Sequence, residues 1–108
     1  MTITNYTGAD VGLTDAKGTP LRVLSSIGKA VVVANDDEVL KVEDLVPIYR
    51  KKRGFIKYLP APDDNLQKMY IVNKDVAEAG RMVRRDLLVV DDLFTWGGGT
   101  FYRKLINI

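Results

Sequence analysis

The decapeptide YRKKRGFIKY, residues 49–58, gathers five cations and three aromatic rings around one glycine. Cations at this density neutralise phosphates and release their counterions, and aromatic faces set between them stack on bases. Read as a β-hairpin over residues 47–59 with Lys52-Arg53-Gly54 as its turn, the stretch pairs Lys51 with Phe55, Tyr49 with Lys57 and Ile48 with Tyr58. Alternation then sets Val46, Ile48, Ile56 and Tyr58 on a core-facing side, with Arg50 near its outer end. Tyr49, Lys51, Phe55 and Lys57 fall on the other side. On this reading Arg50, Lys51, Lys52, Arg53 and Lys57 hold phosphates, and Tyr49 and Phe55 stack. The same basic surface suits an acidic protein partner. Lysines on an edge hairpin also serve simply to block unwanted strand pairing.

Other constellations are sparser. The chain has no histidine and no cysteine, which removes Ser-His-Asp and Cys-His catalysis and any zinc site built on imidazole or thiolate. Ser25 and Ser26, in LSSIGK, lack the glycine spacing and Lys-Ser/Thr pair of a phosphate loop, so the stretch reads as a turn. Carboxylates cluster at Asp36, Asp37 and Glu38, at Asp63 and Asp64, and at Asp91 and Asp92. A hard cation needs such oxygens to converge, whereas adjacent aspartates on a strand point to opposite faces. Each cluster falls at an expected turn or strand end, where aspartate bonds its own backbone, and whether the three meet is left open. Trp96 precedes three glycines and reads as a cover for their bare backbone, the alternatives being a ligand contact for the ring and an anion cradle for the glycine amides. No cofactor, metal or catalytic residue is expected, and the chain reads as non-enzymatic.

The positive excess is local. Residues 1–46 hold 4 basic and 7 acidic side chains, residues 47–62 hold 5 basic and none acidic, and residues 63–108 hold 7 of each. At 108 residues the chain is expected to form a single domain, 1–108. No apolar run approaches the ~18 residues of a membrane span. The N-terminus MTITNYTGAD has neither the basic nor the apolar region of a secretory signal, and the lack of cysteine fits a reducing compartment. A cytoplasmic location with no membrane partner is therefore expected, and homo-oligomerisation is left open.

Short, frequently punctuated apolar runs predict a mainly β chain, a small antiparallel sheet or barrel with one short helix around residues 74–83. TITNYT reads as the first strand, and VGLTDAKGTPLRVL as a hairpin with Gly18 in its turn and Pro20 at a sheet edge. Three successive valines, 31–33, read as a strand buried on both faces or at a sheet crossing, NDDE as a turn and APDDNLQ as a loop. KMYIV and RRDLLVVDDLF read as strands, and LFTWGGGTFYRKLINI as a closing hairpin. The helix is NKDVAEAGRMV, capped by Asn73, with Val76, Ala77 and Met82 or Val83 as its apolar face and Gly80 ending or weakening it.

The segments NYTGADVGLTDAKG (5–18), YIVNKDVAEAGR (70–81) and RRDLLVVDD (84–92) together resemble a group of small uncharacterised phage, prophage and bacterial proteins. Members tend to open with a strand like NLTGH and a D-x-x-G turn, and this chain has Ala9 where histidine is common. The resemblance covers about half of the chain, rests on fold-determining motifs, and implies a phage or prophage context. The leading expectation is thus an accessory protein of that kind that binds nucleic acid through the 47–59 hairpin. The alternatives are a protein-interaction module (a virion component or an inhibitor of a host or defence protein) and a sponge for a small nucleotide.

Overall fold

The computed structural model describes residues 1–33, 38–50, 54–62 and 65–108. The described elements run β1 Thr2–Asn5, β2 Val11–Thr14, β3 Pro20–Leu24, β4 Val31–Val33, β5 Glu38–Glu43, β6 Val46–Arg50 and β7 Phe55–Lys57. They continue with β8 Lys68–Ile71, α1 Lys74–Gly80, β9 Leu87–Trp96 and β10 Gly99–Asn107.

Two stretches organise the rest. In β8 and the residue after it, Met69 and Ile71 pack with one buried cluster while Tyr70 and Val72 pack with another. In β9, Leu88 and Val90 join the first cluster, and Leu87 and Val89 the second. A strand covered on both faces needs apolar side chains at consecutive positions, which is why MYIV and LLVV run without alternation. One cluster gathers Val11, Leu13 and Leu105 from β2 and β10. The other, with Ala30, Val76 and Ala77, lies between the sheet and α1.

The main sheet has the order β1-β8-β9-β10-β2-β3 and is nearly closed, so the expectation of a mainly β, barrel-like fold with one short helix holds. Its strand directions are mixed. β1 with β8, β8 with β9, and β10 with β2 run parallel, while β9 with β10 and β2 with β3 run antiparallel. The parallel β8–β9 join needs a crossover, and α1 supplies it.

Closure is made by NYTGA. Asn5, 1% exposed, forms a parallel bridge to Ser26, linking the β1 end of the sheet to the residues just past β3. Its carbonyl accepts from the Ile27 amide at 3.0 Å, and the Tyr6 carbonyl accepts from the Ala30 amide at 3.0 Å. The Asn5 amide group donates to the Ala9 and Leu24 carbonyls at 2.7 and 2.8 Å. Its Oδ1 accepts from the Thr7 amide at 2.9 Å and the Thr7 hydroxyl at 2.7 Å. Ser26 Oγ accepts from the Gly8 amide at 2.9 Å and donates to the Gly28 carbonyl at 2.6 Å. The serine pair in LSSIGK thus stands at the seam of the barrel.

The β2–β3 hairpin and its Gly18 turn, the edge position of Pro20, and the final hairpin form as the sequence predicts, with Gly97 and Gly98 at φ 57° and 81°. The helix is shorter than expected. It stops at Gly80, and Met82 and Val83 lie 70% and 73% exposed beyond it. Gly80 is there for contact: a Cβ would lie 2.7 Å from Leu87 Cδ1 and 2.9 Å from Ile56 Cδ1. Asn73 makes no side-chain cap; its amide reaches across to the Thr7 carbonyl at 3.1 Å. The three valines of β4 are half-buried, because among the described residues β4 pairs with β7 alone, outside the main sheet.

Candidate functional site

The expected 47–59 hairpin is not the pairing the chain adopts. β6 pairs with β5, setting Tyr49 opposite Val39 and Arg50 opposite Glu38, while β7 pairs with β4, setting Lys57 opposite Val31 and Phe55 opposite Val33. The turn is Asp44-Leu45, both at positive φ (48° and 67°), as a two-residue type I′ connection requires. Gly54 serves another purpose: a Cβ there would lie 2.9 Å from both Val32 Cγ1 and the Val33 carbonyl oxygen, so it permits a close approach.

The two ladders share one register. Seven residues forward from Val31 lies Glu38, and seven back from Lys57 lies Arg50. The four strands form two two-stranded sheets, β4 with β7 beside α1 and β5 with β6 turning at Asp44-Leu45. The molecule measures 63 × 31 × 21 Å. The turn that the described residues form between β5 and β6 is acidic and apolar, Asp44-Leu45. Arg50 and Tyr49 lie on the returning strand, and Lys51, Lys52 and Arg53 lie outside the described residues. On β7, Phe55 is 44% exposed and Lys57 Nζ stands 5.7 Å from its ring centroid. Ile56 packs on the core as expected, but Tyr58 is exposed and ends β7 at φ 65°.

Sequence reasoning missed the β5–β6 hairpin. Val42, Leu45, Val46 and Ile48 are all exposed there, and Leu45 is 96% so. Pairing of Glu43 with Val46 and of Val42 with Pro47 puts apolar groups on both faces. The signal was present in EVLKVEDLVPI, two β-prone runs separated by two residues, the first of them an aspartate. β7 and α1 frame a cavity of 470 Å³ lined by Phe55, Ile56, Pro62, Ala79, Val83 and Arg84. The Arg84 guanidinium forms a two-pronged pair with Asp86 at 2.9 and 2.8 Å, and Asp86 is 1% exposed.

The acidic clusters do not assemble among the described residues, where no group of three or more metal-ligating side chains occurs. Asp91 pairs across the β9–β10 ladder with Lys104 at 3.7 Å, and Asp92 with Arg103 at 3.2 Å. Asp36, Asp37, Asp63 and Asp64 lie outside the described residues, as does the expected NDDE turn apart from Glu38. No described helix is long and apolar enough to cross a membrane. The chain matches no family model, no curated protein and no solved structure.

Proposed function

We propose that the protein is a non-enzymatic binding protein that engages a protein partner through its β5–β6 hairpin, residues 38–50. The observation that carries this reading is the exposure of Val42, Leu45, Val46 and Ile48 on a hairpin whose strands β5 and β6, among the described residues, pair only with each other. A lone two-stranded ribbon is marginal in water, and apolar groups on both faces lower its solubility unless something covers them. A phosphate-reading finger presents cations at its end, whereas this one presents Glu43, Asp44 and Leu45. An accessory or inhibitory role in a phage or prophage setting accords with this mode of action.

A second reading, nucleic-acid binding, keeps one support: the exposed Phe55 with Lys57 beside its ring, next to the basic run 50–53. One experiment addresses both. A photoreactive amino acid at position 45 is activated in cells, and the purified chain is titrated with single- and double-stranded DNA and RNA at two salt concentrations. Protein adducts at position 45 without salt-sensitive nucleic-acid binding are expected. Absence of adducts, with binding that weakens steeply in salt and disappears when Lys51, Lys52, Arg53 and Lys57 become serine, would establish the second reading instead.

A further inference from the structure

We propose that the small pocket between the loop after β1, Asn73 and Tyr102 binds a primary ammonium group carried on a short apolar stem. This site is separate from the β5–β6 hairpin and from the cavity beside α1, and its lining lies wholly among the described residues.

The pocket measures 140 Å³, below the ~300–1,000 Å³ of sites that enclose a whole small molecule. It therefore suits one headgroup and a few carbons. Its floor is apolar: Val11 is buried, and Val90 and Tyr102 pack against the same cluster. Its rim is polar, with Asp10 exposed and Thr7, Asn73 and Tyr102 half-buried.

The hydrogen-bond inventory sets the charge of the ligand. The amides of Thr7, Gly8 and Ala9 already donate to Asn5 Oδ1, Ser26 Oγ and Thr7 Oγ1, at 2.9, 2.9 and 3.3 Å. The Thr7 hydroxyl is shared between Asn5 Oδ1 and the Ala9 carbonyl. Asn73 Nδ2 donates to the Thr7 carbonyl at 3.1 Å, which leaves Oδ1 as the uncommitted atom of that amide. The donors of this loop are spent, and an anion gains little from them. The groups left over accept: the Asp10 carboxylate, Asn73 Oδ1 and the Tyr102 hydroxyl oxygen. Among the described residues Asp10 has no hydrogen bond and no ion pair. Lys29, whose alkyl chain runs along Gly8, does not pair with it.

A carboxylate beside neutral acceptors calls for a cation that brings its own N–H groups, and an ammonium brings three. A calcium ion takes about six to eight oxygens, more than these groups supply. The Tyr102 ring favours positive charge near its face, and Val11 and Val90 give the stem an apolar surface to cover. The acceptors are held by the main sheet. Asp10 leads directly into β2, Asn73 follows β8 and Tyr102 lies in β10, while the Asn73–Thr7 bond ties the two sides of the pocket together.

Titration of the isotope-labelled full chain with n-butylammonium chloride, followed by amide NMR, tests this. Butyrate reverses the charge, butanol removes it, and butyltrimethylammonium keeps it without N–H groups. Asp10→Asn is the variant; Asp10 bonds nothing, so the fold is retained, and the resonances far from the pocket check that it is. Saturable shifts confined to residues around 7–11, 73, 90 and 102 are expected with butylammonium, at low-millimolar affinity, and none with the three controls. Asp10→Asn is expected to weaken binding about tenfold or more. No saturable shift, an equal response to butanol or butyltrimethylammonium, or undiminished binding by Asp10→Asn would each overturn the proposal. Lys29→Met is expected to leave the affinity unchanged; a gain of about tenfold would show that Lys29 occupies the pocket itself, and would overturn it too. Nα-acetyl-lysine amide distinguishes the source. If it binds as butylammonium does, the site takes a lysine side chain; if only butylammonium binds, it takes a free amine.

Discussion

Changing Asn5 to alanine tests how the barrel is closed. The side chain donates to the Ala9 and Leu24 carbonyls and accepts from the Thr7 amide and hydroxyl, at a residue 1% exposed. Not all of these partners are stranded by its loss. Thr7 Oγ1 already lies 2.8 Å from the Ala9 carbonyl and can turn wholly to it. That leaves the Thr7 amide and the Leu24 carbonyl without these bonds. A buried polar group stripped of its partner costs about 1–3 kcal/mol, and water reaching Thr7 past the exposed Gly8 and Ala9 keeps that one near the low end. The expected loss is about 3 kcal/mol, or roughly 12 °C in Tm for a domain of this size. Urea titration followed by far-UV circular dichroism measures it. A loss under about 0.5 kcal/mol, within the range of an ordinary surface change, would refute the assignment of Asn5 as the closing residue. Asn5→Asp sharpens the test. It keeps an acceptor for Thr7 but points a carboxylate oxygen at two carbonyls, so its folded-state pKa rises above the unfolded value of about 3.9. Protonation then favours folding, and the deficit relative to wild type is expected to shrink as pH falls from 7 toward 4.

Gly80→Ala drives a Cβ within 3 Å of Leu87 and Ile56, so about 1–3 kcal/mol of overpacking outweighs the gain in helix propensity, read by the same titration. Asp86→Asn removes the carboxylate that holds the Arg84 guanidinium and is expected to cost about 3–5 kcal/mol, with little dependence on salt because the pair is buried. Leu45→Gly is expected to leave stability unchanged or raised by up to about 1 kcal/mol, since it relieves a left-handed backbone and exposes no core. Hydrogen exchange followed by mass spectrometry is expected to show amides of residues 38–50 exchanging well before those of β8 and β9, whose side chains are covered on both faces.

The elements were legible wherever a local cause produces them. Unbroken apolar runs marked β8 and β9, and Gly18 and the glycines after Trp96 marked turns that need positive φ. What failed was a choice between two turns. Lys52-Arg53-Gly54 has the glycine that turn chemistry favours, and Asp44-Leu45 does not, yet the chain turns at the second. Gly54 was read as conformational freedom, when it marks close approach to Val32 and Val33. That error paired β6 with β7 and hid the exposed residues 42–48. The parallel joins were out of reach because they link residues far apart in the chain, as Asn73 shows by bonding Thr7 instead of capping its own helix.

The β1–β8 pairing bears on the order of events during synthesis. Thr2 pairs with Lys68, so the first strand waits for a partner 66 residues downstream. At roughly 5–20 residues per second a ribosome takes between about 3 and 13 seconds to supply it. The segment from β8 to β10, by contrast, holds neighbouring strands joined by a short helix and a tight turn. Loop-closure entropy places that local unit first, with the N-terminal strand docking on its open side and the Asn5 seam closing last. Until then the chain carries an unpaired sheet edge, and in this interval a nascent chain has most to gain from a chaperone.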